Sequence, residues 1–243
     1  MVKVAIIDSG VNPNHPHVSG VAGGVRISAD GTSLSSDYLD YIGHGTAVAG
    51  AISEKAPGAQ IYAIKVFDQV LTTSVDAILR AIEVAIDEDC KVINLSLGTA
   101  NMDHRERFER VVELAESKEV ALVAAYRMSG QVSLPGALPP VIAVEGDPDC
   151  PRESFRLSGN NGSQDSPARF IASTYPREIP GVPRERNLNG ISFAVANMTG
   201  FVAKAVLANP GLAVAALTLL LIERQGISGI VFGGNMQTGT EHG

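Results

Sequence analysis

Three residue types that together can activate a nucleophile stand at turns of this sequence. Asp8 ends the apolar run KVAIID, His44 follows a glycine in GHGTAVAG, and Ser192 follows a glycine turn in NGISFAVANMTG. In a hydrolytic relay, histidine takes the serine proton while aspartate orients and charges the imidazole. Each residue alone has a structural explanation, because aspartate is common in turns and serine caps helices. The combination predicts a nucleophilic serine if the fold brings the three together.

Apolar strands alternate with helical patterns along most of the chain. The sequence predicts strands at KVAIID, QIYAIKVF, KVINLSLG, VALVAAY and VIAVEG, and helices at 44–53, 73–89, 103–118, 192–208 and 211–225. Continuous apolar runs are typical of strands that are covered on both faces. The alternation therefore predicts an α/β fold, a mainly parallel sheet with helices on both faces. Ligand sites in such sheets lie at the carboxyl ends of the strands.

Two finer features of this pattern are predicted. Thr73 and Asp76 have the spacing of a capping box at the start of the second helix. Residues 146–189 are rich in Pro, Gly, Ser and Asn, and we expect a loop region with edge strands there.

Composition limits the class of protein and its partners. The 243 residues are 45% hydrophobic and 19% charged, as in a globular protein, and we expect residues 1–243 to form a single domain. The net charge of −7 and the lack of a Lys/Arg cluster argue against nucleic acid and anionic membranes as partners. Two cysteines, Cys90 and Cys150, are too few for a disulfide framework and are expected to be reduced thiols.

The first residues, MVKVAIIDSG, lack the features of a signal peptide, and we expect no prodomain before the first strand. We therefore expect a cytoplasmic protein, or a secreted one if an upstream signal and prodomain have been removed. No metal or other cofactor is expected, because His15 and His17 lie in a turn interrupted by proline. Asp37 and Asp40, which precede His44, are expected to face water.

Five segments resemble, in order, the landmark segments of the subtilisin-like serine proteases: VKVAIIDSGVNPNHPHV, GHGTAVAG, VINLSLG, LPGALPPVIAV and NGISFAVANMTG. The resemblance extends from residue 2 to about residue 210 and implies the three-layer fold of that family. It also implies that Asp8 is the orienting carboxylate, His44 the general base and Ser192 the nucleophile. The segment that would pair with an extended peptide substrate consists of Ser96, Leu97, Gly98 and Thr99.

The chain departs from the family pattern where the oxyanion would be bound. The family has Ala-Gly-Asn where this sequence has Tyr126, Arg127 and Met128, and threonine where it has Ile191. Methionine has no hydrogen to donate, so the side-chain donor of the family is missing and the backbone N–H of Ser192 remains. Arg127 could replace that donor or select an acidic substrate residue. Tyr126 and Arg127 are also expected to restrict the substrate range.

These residues predict a serine endopeptidase that hydrolyses peptide or protein substrates through an acyl-enzyme, with an altered oxyanion hole. One alternative is a pseudoprotease that binds peptide without cutting it. A second is a peptide ligase or macrocyclase, because Ala196 replaces a family proline and relaxes the start of the helix that carries the serine. The oligomeric state is left open.

Overall fold

A twisted sheet forms the centre of the fold. The computed structural model describes residues 1–158 and 166–224, and in that part of the chain the sheet has nine strands. They are β1 Lys3–Asp8, β2 Val21–Ile27, β3 Leu34–Ser35, β4 Gln60–Lys65, β5 Val92–Leu95, β6 Ala121–Ala125, β9 Ile142–Asp147, β10 Phe155–Leu157 and β11 Arg169–Ser173, while β7 Arg127–Met128 and β8 Gln131–Val132 form a separate hairpin.

The strand order across the sheet is β10-β11-β9-β6-β5-β1-β4-β2-β3. The seven inner strands are parallel, and the two edge strands pair antiparallel to their neighbours. β1, the first strand of the chain, therefore lies between β4 and β5 in the interior of the sheet. This position explains why the four residues between Lys3 and Asp8 are all apolar.

Helices cover both faces of the sheet. They are α1 His44–Lys55, α2 Val75–Asp87, α3 Arg105–Ser117, α4 Ile191–Ala208 and α5 Val214–Glu223, with short 3-10 turns at Met102–His104 and Arg184–Arg186. Alternate residues of a strand point to opposite faces. Val4 and Ile6 of β1 join one core cluster with α1, α4 and α5, whereas Ala5 and Ile7 join a second cluster with α2 and α3. The predicted α/β class, with helices on both faces of a mainly parallel sheet, is confirmed.

α4 is the core helix of the first cluster. In the described part of the chain it is the one helix long and apolar enough to cross a membrane, but 61% of it is buried inside the fold. It packs against α1, β9 and β11. Burial against the sheet accounts for its apolar composition.

The structure corrects the predicted cap of α2. The helix begins at Val75, so the capping position falls on Ser74, whose Oγ accepts a hydrogen bond from the backbone N–H of Ala77 at 3.0 Å. The hydroxyl of Thr73 is buried and has no hydrogen-bond partner among the described residues. The predicted capping box at Thr73 is therefore wrong by one residue, because Thr73 lies one position too early to reach the orphan N–H groups.

Other boundaries also differ from the sequence prediction. Three elements were not expected: the seven-residue strand β2, which contains two glycines and a register irregularity, the two-residue strand β3, and the β7–β8 hairpin, whose strands have two residues each. The irregular region 146–189 does contain the edge strand β10, but residues 159–165 lie outside the described part of the chain. The last predicted helix, 211–225, corresponds to the shorter α5 Val214–Glu223. Residue 225 lies outside the described part of the chain.

Candidate active site

The predicted site residues gather at the carboxyl edge of the sheet. Asp8 is the last residue of β1, Ser96 follows β5, and Tyr126 follows β6, and these three strands are neighbours. His44 and Ser192 are the first and second residues of α1 and α4, the two helices that pack on the same face of the sheet. Strand ends and helix starts thus meet at one edge, as expected for a site in a parallel sheet.

Asp8 and His44 form a hydrogen-bonded pair. Asp8 Oδ1 lies 2.7 Å from His44 Nδ1 and also accepts the backbone N–H of Ser9 at 2.7 Å, and the aspartate is fully buried. A carboxylate can only accept, so the hydrogen of the neutral imidazole is on Nδ1 and Nε2 can accept a proton. Burial opposes the charged imidazole, but the hydrogen bond and charge of Asp8, with the charge of Asp40, raise the pKa of His44 above its ordinary value.

A glycine permits the close contact between α1 and the end of β1. A Cβ atom added to Gly45 would lie 2.2 Å from the carbonyl oxygen of Gly10 and 3.2 Å from Asp8 Cβ. No side chain larger than hydrogen fits at that distance, and the backbone of α1 therefore approaches Asp8 directly. This approach brings His44 to the carboxylate.

Asp40 does not face water, contrary to the sequence expectation. This half-buried carboxylate accepts hydrogen bonds from Ser9 Oγ at 2.9 Å, from the backbone N–H groups of Ile42 and Gly43 at 2.9 and 2.8 Å, and from Thr46. Burial alone would raise the pKa of Asp40, but the hydrogen bonds from Thr46, Gly43 and Ile42 outweigh it and lower the pKa. Sequence reasoning missed these hydrogen bonds to Asp40 because only the fold shows how many donors lie near its carboxylate.

Ser192 stands where a helix begins, and its hydroxyl points to the carbonyl oxygen of Ser96. Ser192 Oγ lies 3.5 Å from the carbonyl oxygen of Ser96, and no hydrogen bond joins it to His44 among the described residues. The rings of Phe193 and His44 have centroids 5.4 Å apart. The backbone N–H of Ser192 has no partner in the described part of the chain, and the dipole of α4 favours negative charge there.

A buried chain of hydrogen bonds holds this helix start against the sheet. Thr199 Oγ1 donates to Asn94 Oδ1 at 2.9 Å, Asn94 Nδ2 donates to Ser96 Oγ at 2.9 Å, and Ser96 Oγ donates to the carbonyl oxygen of Ser192 at 3.2 Å. The first two of these bonds are buried and the third is partly buried, and a hydrogen bond shielded from water is costly to lose. Asn94 and Thr199 therefore position Ser192, a role that their places in apolar runs did not reveal.

The segment Ser96–Thr99 presents a free backbone edge. Thr99 pairs antiparallel with Leu134 through hydrogen bonds of 3.0 and 2.8 Å, and a Cβ atom on Gly98 would lie 2.2 Å from Leu134 O. No backbone hydrogen bond is made by Leu97 or Gly98 within the residues described. These unpaired groups suit the addition of one extended strand.

Of the residues expected around the oxyanion, Arg127 and Met128 form strand β7 of the short β7–β8 hairpin, whereas Ile191 begins α4. Arg127 is exposed, its Nη1 donates to Gly130 O at 3.2 Å, and its guanidinium lies 5.4 Å from the centre of the Tyr126 ring. Met128 is half-buried, with its sulfur 3.6 Å from the position of a Cβ on Gly98. Ile191, the first residue of α4, packs against the first core cluster. The structure thus brings an apolar sulfur, rather than a side-chain donor, next to the segment Ser96–Thr99.

Within the described residues, no group of three or more His, Cys, Asp or Glu side chains is arranged to hold a metal ion. His15 and His17 pair with each other, with ring centroids 5.1 Å apart. Both cysteines are buried thiols, and burial raises the pKa of Cys90 to about 12 and raises that of Cys150 as well. Neither thiol competes with Ser192 as a nucleophile at neutral pH.

Comparison with known proteins agrees with the geometry. A family model described as "Subtilase family" matches residues 1–226. The "Minor extracellular protease Epr" of Bacillus subtilis is 35% identical over 72% of this chain and 28% of its own length, and Subtilisin E of the same species is 33% identical over 82% and 54%. The chain thus spans about half or less of the length of these two relatives.

Solved structures show the same architecture. A cold adapted subtilisin-like serine proteinase aligns with a TM-score of 0.69 at 23% identity, covering 92% of this chain and 81% of its own. Sphericase aligns with a TM-score of 0.66 at 25% identity, covering 92% and 82%. The expected subtilisin-like three-layer fold is confirmed, and the chain belongs to the subtilase family.

Proposed function

We propose that the protein is a serine endopeptidase that uses Asp8, His44 and Ser192 and has an altered oxyanion hole. The observation that carries this proposal is the 2.7 Å hydrogen bond from His44 Nδ1 to the fully buried Asp8. It is supported by the position of Ser192 at the start of α4 and by the protease relatives of the chain. A buried carboxylate costs desolvation free energy, so the Asp8–His44 pair is better explained by a catalytic role than by a structural one.

Proton transfer follows from this pair. Asp8 holds the hydrogen of His44 on Nδ1, so Nε2 accepts the proton of Ser192 as the hydroxyl oxygen attacks the peptide carbonyl. The imidazolium that forms is stabilised by Asp8 and by the nearby Asp40, consistent with the raised pKa of His44. It then gives the proton to the leaving amine, and water attacks the acyl-enzyme in the same way. Ser192 needs only a side-chain rotation to turn from Ser96 O toward His44.

The negative charge of the tetrahedral intermediate would be stabilised by a backbone group in this site. The N–H of Ser192 at the start of α4 is the donor that this chain offers to the tetrahedral oxyanion. The expected side-chain donor is replaced by Met128, so we expect slow turnover. An extended peptide would lie along Ser96–Thr99 and take up the free backbone groups of Leu97 and Gly98.

One observation favours the pseudoprotease as a second candidate. The hydroxyl of Ser192 points to Ser96 O at 3.5 Å, and Met128 offers no donor beside it. A protein with this arrangement could bind a peptide along Ser96–Thr99 and leave it intact.

The same comparison also concerns the location of the protein. Neither the structure nor the relatives support the expected cytoplasmic location. The name of Epr states that it is extracellular, which favours the secreted alternative for this chain. A peptide or protein remains the proposed partner.

The test is intact-mass labelling with a fluorophosphonate, which reacts with a serine only when a base activates it. We expect one adduct on the wild-type protein, none on Ser192→Ala or His44→Ala, and an unchanged adduct on Ser36→Ala, which alters an exposed serine far from the site. No adduct on folded wild-type protein would contradict the proposal and favour the pseudoprotease. Incubation with peptides then separates hydrolysis, which creates new termini, from cyclisation, which yields a product lighter by one water.

A further inference from the structure

A cleft of about 470 Å³ lies beside the candidate active site, and the proposed mechanism does not use it. Its lining comes from three parts of the chain: the turn after β1, the segment around His44, and the loop that leads to α4. The lining residues are Asn12, His15, Pro16, His17, Asp40, Gly43, Thr46, Ala47, Pro176, Arg177, Ile179, Asn187 and Leu188.

The position of the cleft assigns it to the leaving-group half of a bound peptide. Gly43 directly precedes His44, and Leu188 stands four residues before Ser192, so the cleft borders both. It shares no lining residue with Ser96–Thr99, where the acyl half would pair. For a peptide whose carbonyl lies at Ser192 and whose acyl half follows Ser96–Thr99, we expect the leaving-group half on the side of Gly43 and Leu188, which line the cleft.

The polar groups of the cleft include several hydrogen-bond donors. The backbone N–H of His17 donates to His15 Nδ1 at 3.2 Å, so the ring hydrogen of neutral His15 is on Nε2, which can donate. Arg177 Nη1 donates to His17 O at 3.3 Å, which leaves further guanidinium N–H groups for a ligand. Burial, then the charges of Arg177 and His15, lower the pKa of His17, as expected where positive charge is in excess.

Nearby carboxylates leave this positive charge incompletely balanced. Glu54 is the carboxylate nearest to Arg177, with its Oε1 3.9 Å from Arg177 Nε, but Glu54 also pairs with Arg152 and lies 3.5 Å from Lys55 Nζ. Arg177, Arg152 and Lys55 therefore all lie within 4.0 Å of Glu54, and Glu153 also acts on Lys55. Asp40 also lines the cleft, but its two oxygens already accept hydrogen bonds from its own loop and from Ser9.

We propose that this cleft binds a carboxylate on the leaving-group half of the substrate, with Arg177 and His15 as its donors. The proposal rests on the proposed function, since it takes a peptide to span Ser192. Two sources have this chemistry: an Asp or Glu side chain just after the scissile bond, and the terminal carboxylate of a short leaving peptide. The apolar walls of Pro176, Ile179 and Leu188 would contact the rest of that peptide.

Binding is tested first without any cleavage, on the Ser192→Ala protein. Three dipeptides serve as probes: Ala-Glu-amide with a side-chain carboxylate, Ala-Gln with a terminal one, and Ala-Gln-amide with none. Nuclear magnetic resonance of the imidazole C–H protons of His15 and His17 reports occupancy. We expect at least one of the two charged dipeptides to bind about tenfold tighter than the amide, since a charge-assisted bond to Arg177 is gained.

Variants then test whether Arg177 causes the preference for a dipeptide with a carboxylate. Arg177→Gln should remove it, Arg177→Lys should restore part of it, and Arg186→Gln, an exposed arginine on the same loop outside the cleft, should leave it unchanged. Equal binding of all three dipeptides to the Ser192→Ala protein would overturn the proposal, and this comparison decides it even if Arg177→Gln does not fold. The same loss in Arg186→Gln as in Arg177→Gln would also overturn it.

Cleavage-site profiling by mass spectrometry of a digested protein mixture tests the same inference during turnover. We expect Asp and Glu to exceed Asn and Gln at a fixed position after the cut, or cuts to concentrate near chain ends, which distinguishes the two carboxylate sources. Active cleavage with a flat profile overturns the carboxylate site and leaves the endopeptidase intact. Charge-dependent dipeptide binding by a protein that cuts no peptide and takes no fluorophosphonate instead overturns the endopeptidase.

Discussion

The two halves of the candidate active site are built very differently. On the histidine side, Asp8 bonds to His44, and Ser9, the residue after Asp8, donates a hydrogen bond to Asp40. Backbone N–H groups also donate to Asp8, to Asp40 and to the hydroxyl of Ser9. On the oxyanion side, the N–H of Ser192 has no partner among the described residues, and Met128, whose sulfur lies next to Gly98, supplies no side-chain donor. The aspartate–histidine pair is thus held by several hydrogen bonds, although Asp8 Oδ2 is buried without a partner among the described residues, whereas the groups that would stabilise negative charge are reduced.

This difference separates two contributions that usually occur together. A relay can deprotonate a serine without stabilising the intermediate that follows, and the two effects contribute separately to the rate. We therefore expect a reactive serine whose turnover is limited by the oxyanion. The variants below alter one half at a time, from the largest expected effect to the smallest.

Asp8→Asn should reduce kcat about 10⁴-fold, because an amide no longer fixes the hydrogen of His44 on Nδ1. The measurement is steady-state cleavage of a peptide chosen from the profile of the wild-type enzyme. Asp37→Asn, which changes an exposed carboxylate in the loop before His44, is the control and should retain activity. A decrease of less than tenfold in Asp8→Asn would mean that proton transfer does not depend on the histidine side.

Met128→Asn should raise kcat about 10²–10³-fold, the usual value of one side-chain donor to an oxyanion. Met128→Leu keeps the apolar volume without adding a donor, so it should leave kcat unchanged. If Met128→Asn folds normally and gains nothing, the reduced oxyanion side is not what limits the enzyme.

Asp40→Asn should move the acid limb of the pH–rate profile downward. His44 must be neutral to act as a base, so the rate rises with pH through the pKa of His44, which Asp40 helps to raise. Removing this charge lowers that pKa, and the variant should reach its plateau at a lower pH than the wild-type enzyme.

The same variant tests stability. Loss of charge-assisted bonds to Thr46 and Gly43 should lower the free energy of unfolding by about 1–2 kcal/mol near neutral pH. Because the pKa of Asp40 is lowered in the fold, this difference should disappear as the pH falls through that pKa. If Asp40→Asn changes neither the pH–rate profile nor the free energy of unfolding, Asp40 contributes neither to the pKa of His44 nor to stability.

Arg127→Ala should have the smallest effect and change kcat by no more than about twofold, as for most exposed side chains without a buried partner. Its guanidinium bonds to Gly130 O within its own hairpin. A decrease of tenfold or more, measured with the same peptide, would instead mean that Arg127 turns to the oxyanion during turnover.

The sequence predicted the sheet and the helices well because its signals are local. β1 and β6 are continuous apolar runs, and α2 and α4 follow apolar runs bounded by turns. The resemblance to a family then indicated which Asp, His and Ser would meet.

Contacts between distant segments could not be predicted in the same way. Asp40 looked like a solvated carboxylate, since the donors of Ser9 and Thr46 reach it only after α1 has packed on β1. Asn94 and Thr199 lie within apolar runs, and only the packing of α4 on β5 shows that they bond to each other. The direction of the Arg127 side chain likewise depends on a hairpin too short to leave a pattern.

The central place of β1 has a consequence for synthesis. β1 is flanked in the finished sheet by β4 and β5, which both follow it in the chain, and the helix that carries Ser192 follows much later. A chain that grows from its N-terminus must therefore keep β1 unpaired on one side or both until its neighbours emerge. Because Ser192 joins the side of the fold that holds Asp8 and His44 only when α4 packs onto the sheet, a chain that lacks α4 has no assembled candidate site.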